Sequence, residues 1–363
     1  MSGATVHLVV PGALDQRTGG YLYDARMVRE MRARDRKVVV HELSGEFPEG
    51  DQIAHSSLDQ ALAGLEDGAV AVVDGLAGGG LPEVLERHAA RLRLVGLVHH
   101  PLADETGLSA EDASRFRASE ERALAACRGV VVTSPFTAER LSIFGVSEDR
   151  VSVAVPGTEP AEAATGPGAG NPPCLLCVAS LTRRKGHDVL VEALAAISDL
   201  PWACVFAGSD AYDPVHASEV RERVRLLGLD DRITFVGELD ATDLSSLYDR
   251  STLFVLASYY EGYGMALTEA ISRGVPVIST TGGAIPFTVP AAAGVLVPPG
   301  DAAAFAGALR SVLTTPVRLT ALRSAAARAA AELPDWFRAS LAFEAAVDRL
   351  SLMPTALATG LRS

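Results

Sequence analysis

Lysine is almost missing from this chain. Of the 32 basic residues among 363, only Lys37 and Lys185 are lysines, so a lysine inside the short run "TRRKG" (182–186) is a residue to weigh. Cysteine is scarce too. Four cysteines in a chain of this length make no disulfide framework. Cys174 and Cys177 form a lone C-x-x-C within "CLLCVAS"; on a strand, positions i and i+3 point to opposite faces, so buried thiols are expected there rather than a metal or redox pair. No window reaches the ~18 uninterrupted apolar residues of a spanning helix. The start, "MSGATVHLVVPG", lacks the basic opening and long apolar run of a signal peptide and reads as a buried strand, which makes a cytoplasmic protein the expectation. Net positive charge is lacking as well: a formal charge of −13 argues against nucleic-acid or stable membrane partners, while leaving room for a local basic pocket.

What is present is alternation. With 48% hydrophobic and 21% charged residues the chain is of ordinary globular composition, and its length suggests two domains. In the first half, "VHLVV" (6–10), "KVVVHEL" (37–43), "AVAVVD" (69–74), "RLVGLV" (93–98) and "GVVVTS" (129–134) read as buried strands. Helical spacing occupies 21–34, 58–64, 81–90, 109–126 and 135–143 between them. Continuous apolar strands alternating with helices indicate α/β architecture with parallel sheets covered on both faces. The pattern breaks in "GTEPAEAATGPGAGNPP" (157–173), a linker by composition. It restarts with strands at 174–180, 202–208, 232–237, 252–258, 275–280 and 294–298. The expected division is therefore residues 1–160, a linker at 161–173, a second domain at 174–332 and a tail at 333–363. That tail contains an amphipathic helix with Trp336 near its start, then a frayed end.

One stretch carries chemistry. In "YYEGYGMALTEAISRGVPVI" (259–278) a strand gives way to a glycine-rich loop and then a helix. Ligands of open parallel sheets gather at the carboxyl ends of strands, and a helix N-terminus suits a phosphate. Gly262 and Gly264, on either side of Tyr263, would let the backbone approach it, with the amides of Gly264, Met265, Ala266 and Leu267 as donors. Glu261 and Glu269 suit the hydroxyls of polyols, although acidic residues near a helix start are also favoured by its dipole alone. "LTRRKGHDVLVEAL" (181–194) repeats the strand, loop and helix plan, with Arg184 and Lys185 as a second anion clamp. Two anion-binding loops and two diol-binding carboxylates in one domain fit a sugar joined to a nucleoside through diphosphate.

These residues resemble glycosyltransferase family 4, a family of GT-B proteins. Its E-x7-E element stands here as Glu261 and Glu269, its lysine-glycine element as "RRKG", and "FVGELDATDLSSLY" (235–248) and "TTGGAIPFTV" (280–289) extend the likeness. The resemblance implies two Rossmann-like domains with parallel sheets facing across a cleft, the first for the acceptor and the second for the donor, and a C-terminal helix crossing back to the first. It implies that Arg184 and Lys185 contact the diphosphate and that Glu261 holds the donor sugar. Glu269 would hold the ribose, while backbone near Gly237 and Leu239 frames the base. In the first half it implies roles for Gly19 and Gly20 between the first strand and its helix, and for His99, ahead of His100, facing the sugar. Glu105 and Thr106 are further guesses for the acceptor.

The chain departs from the family pattern where a Gly-Arg pair is usual: Ala179 and Ser180 stand there. This leaves open whether Arg183 or Arg184 faces the diphosphate. No Asp-x-Asp pair occurs, so no metal and no cofactor are expected, the nucleotide sugar (UDP- or GDP-linked) being a substrate. The implied activity is retaining transfer of a glycosyl group to a small soluble acceptor or a saccharide. A GT-B-like nucleotide-sugar epimerase and a non-catalytic sugar-binding protein are the alternatives. The first wants acid/base carboxylates that the motifs do not supply, and the second wants an export signal. Lys185→Ala is expected to cost turnover and little stability.

Overall fold

A computed structural model describes residues 4–355. Twelve strands are β1 (Val6–Pro11), β2 (Val38–Leu43), β3 (Val70–Asp74), β4 (Arg93–Val98), β5 (Gly129–Val132), β6 (Val151–Val153), β7 (Cys174–Val178), β8 (Ala203–Ala207), β9 (Ile233–Gly237), β10 (Leu253–Leu256), β11 (Val277–Thr280) and β12 (Gly294–Val297). They form two six-stranded parallel sheets. The chain divides into two compact units, one of residues 1–157 with 334–363 and one of residues 158–333.

The first unit has strand order β2-β1-β3-β4-β5-β6. Its central strands are valine- and leucine-rich on both faces, as burial on both sides demands: all of β3 and β5 is buried. Strand order turns back beside β1, whose neighbours are β2 and β3, so the crevice of this sheet opens at the carboxyl ends of β1 and β3. The three-residue β6 had no pattern long enough to be read. The helix expected at 58–64 starts earlier, at Gln52, because the Asp51 carboxylate accepts the Ala54 N–H at 2.8 Å and caps it. The one expected at 135–143 ends at Arg140 and tightens into a 3₁₀ turn that stops at Gly145 in the left-handed region.

The helix Trp336–Ser351, capped by Asp335 accepting from Arg338 N–H at 2.8 Å, belongs to this unit. Its apolar face (Trp336, Phe343, Val347, Leu350) is buried, and Phe343 and Trp336 meet Tyr23 edge-on at 6.0 and 6.5 Å between ring centroids. Tyr23 lies on the helix Gly19–Ala33, which Arg34 and Arg36 extend with ion pairs to Glu344 and Asp348. Gly157 must be glycine here, since a Cβ would lie 2.5 Å from Trp336 backbone. Residues 356–363 of the tail expected to fray lie outside the described residues.

The second unit has strand order β12-β11-β10-β7-β8-β9, reversing between β7 and β10. Its core gathers Leu176, Phe206, Phe254, Leu267 and Ile278 from the sheet and its covering helices. Residues of the expected linker lie along this unit: Ala164 N–H donates to Arg273 O and Gly166 N–H to Asp249 O, both at 2.8 Å. Cys177 and Cys204 are buried free thiols and Cys174 is half-buried, and burial pushes Cys177 up to about 12, which leaves it inert.

Phe343→Ala should destabilise the first unit by about 3–5 kcal/mol, as removal of a buried ring does. Chemical denaturation should show the early unfolding of that unit alone, with the transition of residues 158–333 unmoved.

Candidate functional site

The reversal of strand order in the second unit brings two loops together. The first follows β7 and runs through a 3₁₀ turn, Arg183–Lys185, to Gly186 and the helix His187–Ala195. The second follows β10 and runs through Glu261 and Gly264 to the helix Met265–Ser272. Gly186 has φ +63°, and a Cβ there would fall 2.2 Å from Ala257 O, so only glycine lets the first loop lie on the second. Two hydrogen bonds lock them: Tyr259 N–H donates to Arg184 O at 2.8 Å, and the Arg184 side chain donates through Nη1 to Tyr260 O at 2.9 Å.

At their junction sits Glu261, 5% exposed. Lys185 Nζ donates to its two carboxylate oxygens at 2.7 and 2.8 Å, Ser258 Oγ donates at 2.6 Å, and Arg184 Nη1 lies 3.7 Å away. Burial pushes this carboxylate up, but Lys185 and then Arg184 outweigh it and hold Glu261 below the usual carboxylate range. Arg183 points elsewhere, pairing at 3.0 Å with Glu219 on the outer surface. Of the two arginines left open by the sequence, Arg184 is thus the one at the site. His187, next in line, adds no charge: it is fully buried, and that burial lowers it to about 3.

Gly264 begins its helix in the left-handed region, φ +92°, where a Cβ would strike Leu267 Cδ1 at 2.6 Å. Gly262, Tyr263, Met265 and Ala266 line the same half-buried turn. One expected donor is corrected: the Leu267 N–H already bonds Gly264 O at 3.0 Å, because the first turn closes there. Glu269, one turn on, accepts from Tyr248 OH at 2.9 Å. Gly237 ends β9 with φ +70° and open space where a Cβ would stand, and Leu239 follows it half-buried.

Sequence reasoning missed the supports. Ser258 bonds Glu261 directly, and Thr280 Oγ1 fixes Ser258 O at 2.5 Å. Gly282 and Gly283 pass so close to Tyr259 O and Glu261 O that a Cβ would stand 2.3 and 2.4 Å from them. Thr288 Oγ1 holds Tyr263 O at 2.6 Å. The glycine pair in "TTGG" was a visible signal; nothing marked Ser258, Thr288 or Tyr248.

In the first unit, Gly19 and Gly20 open the helix Gly19–Ala33 after Thr18. Gly20 packs under His99, 3.1 Å separating its would-be Cβ from ring Cδ2. His99 Nε2 lies 3.2 Å from Asp24 Oδ1 and 3.4 Å from Asp74 Oδ2. Burial would lower His99, but Asp24 and Asp74 raise it to about 10; burial also raises Asp24 to about 6 against the pull of His99. His100 turns to Glu105, 3.1 Å from Nε2 to Oε2, and the Thr106 N–H donates to the other Glu105 oxygen at 2.9 Å.

Two such units, each a parallel six-stranded sheet with charged loops at its switch point, are the pair that defines a GT-B glycosyltransferase fold. The fold matches that of a sucrose-phosphate synthase from Thermosynechococcus elongatus with a TM-score of 0.80 at 21% identity, over 96% of this chain and 99% of that one. Anabaena HepE in complex with UDP-glucose matches with a TM-score of 0.75 at 18% identity, over 96% and 100%. Residues 162–332, within the second unit, match the family model described as glycosyl transferases group 1, and that part of the chain is similar to the glycosyltransferases of this family. Among curated relatives, a D-inositol 3-phosphate glycosyltransferase of Kineococcus radiotolerans is 26% identical over 250 residues, 62% of this chain and 58% of that protein. Alignments to other curated relatives span from 26% to 66% of their lengths. No helix among the described residues is long and apolar enough to cross a membrane.

The buried pair revises one expectation. Lys185→Met strips Glu261 of its nearest cation and should destabilise the second unit by about 3–5 kcal/mol, whereas Lys185→Met with Glu261→Gln should recover most of that loss in a double-mutant cycle. Because Glu261 is lowered from its ordinary 4.5, its contribution is complete above that value and is lost as pH falls through the folded value. Denaturation at a series of acid pH values should show a steeper loss in the native chain than in the double variant.

Proposed function

We propose that this chain moves a sugar from a nucleotide-sugar donor to a hydroxyl of a small acceptor, with retention of anomeric configuration and with no divalent metal on the diphosphate. The observation that carries the reading is the meeting of Arg184, Lys185 and the Met265–Ser272 helix start at one switch point, half-buried positive charge beside amides that a diphosphate fits. Donor and base would be held by this unit, with Glu269 on the ribose and Gly237 and Leu239 around the base. Glu261 already receives Lys185 on both oxygens, so a donor hydroxyl would share an occupied carboxylate; its first task is to fix the cation.

In the reaction, the bond from the anomeric carbon to the diphosphate oxygen breaks and the bond to the acceptor oxygen forms. The acceptor proton goes to the departing phosphate oxygen. Fixed positive charge stabilises the negative charge that grows on that leaving group, at a few kcal/mol per donor. No separate nucleophile is required, and no cofactor beyond the donor itself. The name of one similar protein, D-inositol 3-phosphate glycosyltransferase, supports a small polar acceptor, while that of another, a phosphatidylinositol monomannoside mannosyltransferase, is the reason to include a lipid-linked acceptor among those tried.

Purified protein incubated with UDP- and GDP-sugars should release nucleotide, slowly alone and faster with the acceptor, at a rate unchanged by added Mg²⁺. Arg184→Ala should lower turnover by roughly 10²–10³. Glu269→Gln should weaken nucleotide binding about tenfold or more, the worth of a hydrogen bond to a charged group. Silence with every donor tried would end the reading.

A further inference from the structure

Glu269 stands one turn into the helix Met265–Ser272, and its Oε2 accepts a hydrogen bond at 2.9 Å from the hydroxyl of Tyr248. Tyr248 comes from another element, the helix Ala241–Asp249, 21 residues back along the chain. It is the one buried residue of that helix, 1% exposed, so a hydroxyl is carried deep into the unit and meets a carboxylate there.

The ring is held. Phe254 of β10 lies alongside it, with 6.0 Å between centroids and 18° between planes, and the Arg273 guanidinium stands over it at 4.9 Å. Arg273 also bridges the two helices: Nη1 donates to Glu269 O at 3.1 Å and Nη2 to Ser245 Oγ at 3.4 Å. With the ring fixed, the Tyr248 oxygen has two acceptors in reach, Glu269 Oε2 at 2.9 Å and Ala266 O at 3.3 Å. It has one proton to give, and the shorter, charge-assisted bond takes it. Burial, and then Glu269, push the hydroxyl well above its ordinary value, so it remains a donor throughout the neutral range.

An aromatic ring at this place would fill the core equally well without its oxygen. The hydroxyl serves the carboxylate. A hydrogen bond given to a carboxylate favours its charged form and fixes the plane in which its other lone pairs lie. The two oxygens together offer about four lone-pair sites, so Tyr248 and a vicinal diol can be served at once.

We infer that Tyr248 is the positioning residue for Glu269, and that the pair makes the second unit select a nucleotide whose ribose carries both its 2′- and 3′-hydroxyls. For its ligand this rests on the proposed donor reading. It adds a residue that never touches the ligand, and a class of nucleotide, lacking the diol, that the unit turns away.

The test is calorimetric titration of the full chain with UDP and GDP, each beside its 2′,3′-dideoxy counterpart. The native chain should bind the preferred ribonucleotide about tenfold or more tightly than the dideoxy form. Tyr248→Phe should weaken the ribonucleotide roughly three- to tenfold, the range of one hydrogen bond, and leave the dideoxy form within about twofold. Lost packing would weaken both forms alike, so a merely structural role does not move the ratio between them. On a Glu269→Ala background, Tyr248→Phe should change neither affinity. Equal loss for both forms, or no loss for either, in a folded Tyr248→Phe chain would overturn the inference. A native chain that binds both forms equally would do the same without any variant, and would leave the donor reading standing. A native chain that binds no nucleotide in either form would overturn the donor reading itself, and the role of Tyr248 with it.

Discussion

A buried carboxylate with two cations is the constraint on which the second unit's site depends. Glu261 comes from the loop after β10, and Lys185 and Arg184 from the loop after β7, so their attraction joins the two strands between which the sheet reverses. Glu261 is not tolerable alone in that place: an unpaired charge so deeply buried costs several kcal/mol. The pair therefore does two jobs. It fixes loop geometry, and it holds the ammonium and guanidinium at the switch point without the freedom that exposed cations have.

The surrounding glycines follow from this. Gly186, Gly282 and Gly283 each lie where backbone meets backbone, and any side chain would push the loops apart. Ser258, Thr280 and Thr288 supply hydroxyls to carbonyls and to the carboxylate that the tight packing would otherwise strand. The site is a stack of three loops, each seated on the one before. Preorganisation of this kind is what electrostatic stabilisation of a leaving group requires, because no reorganisation remains for the moment of reaction.

The first unit repeats the architecture with opposite charge. At its reversal stand Asp24 and Asp74 around His99, where the other unit has cations around a glutamate. The same sheet topology presents side chains from separated segments at one edge in both cases. What the edge binds is set by which residues evolution has placed there, not by the fold.

The sequence alone determined the α/β class, the strand alternation and the two halves, because these rest on local periodicity and on runs of valine and leucine that any parallel sheet needs. It also marked Arg184, Lys185, Glu261, Gly264 and Glu269, since glycine-rich turns and sparse lysine are visible in one dimension. It could not show that Arg183 turns away to Glu219, that Leu267 spends its amide within its own turn, or that Lys185 is tied to Glu261 across 76 residues. Nor did it bring Asp24 and Asp74 to His99. Those are meetings of distant segments, decided by strand order, and strand order is written in packing rather than in any neighbouring residues.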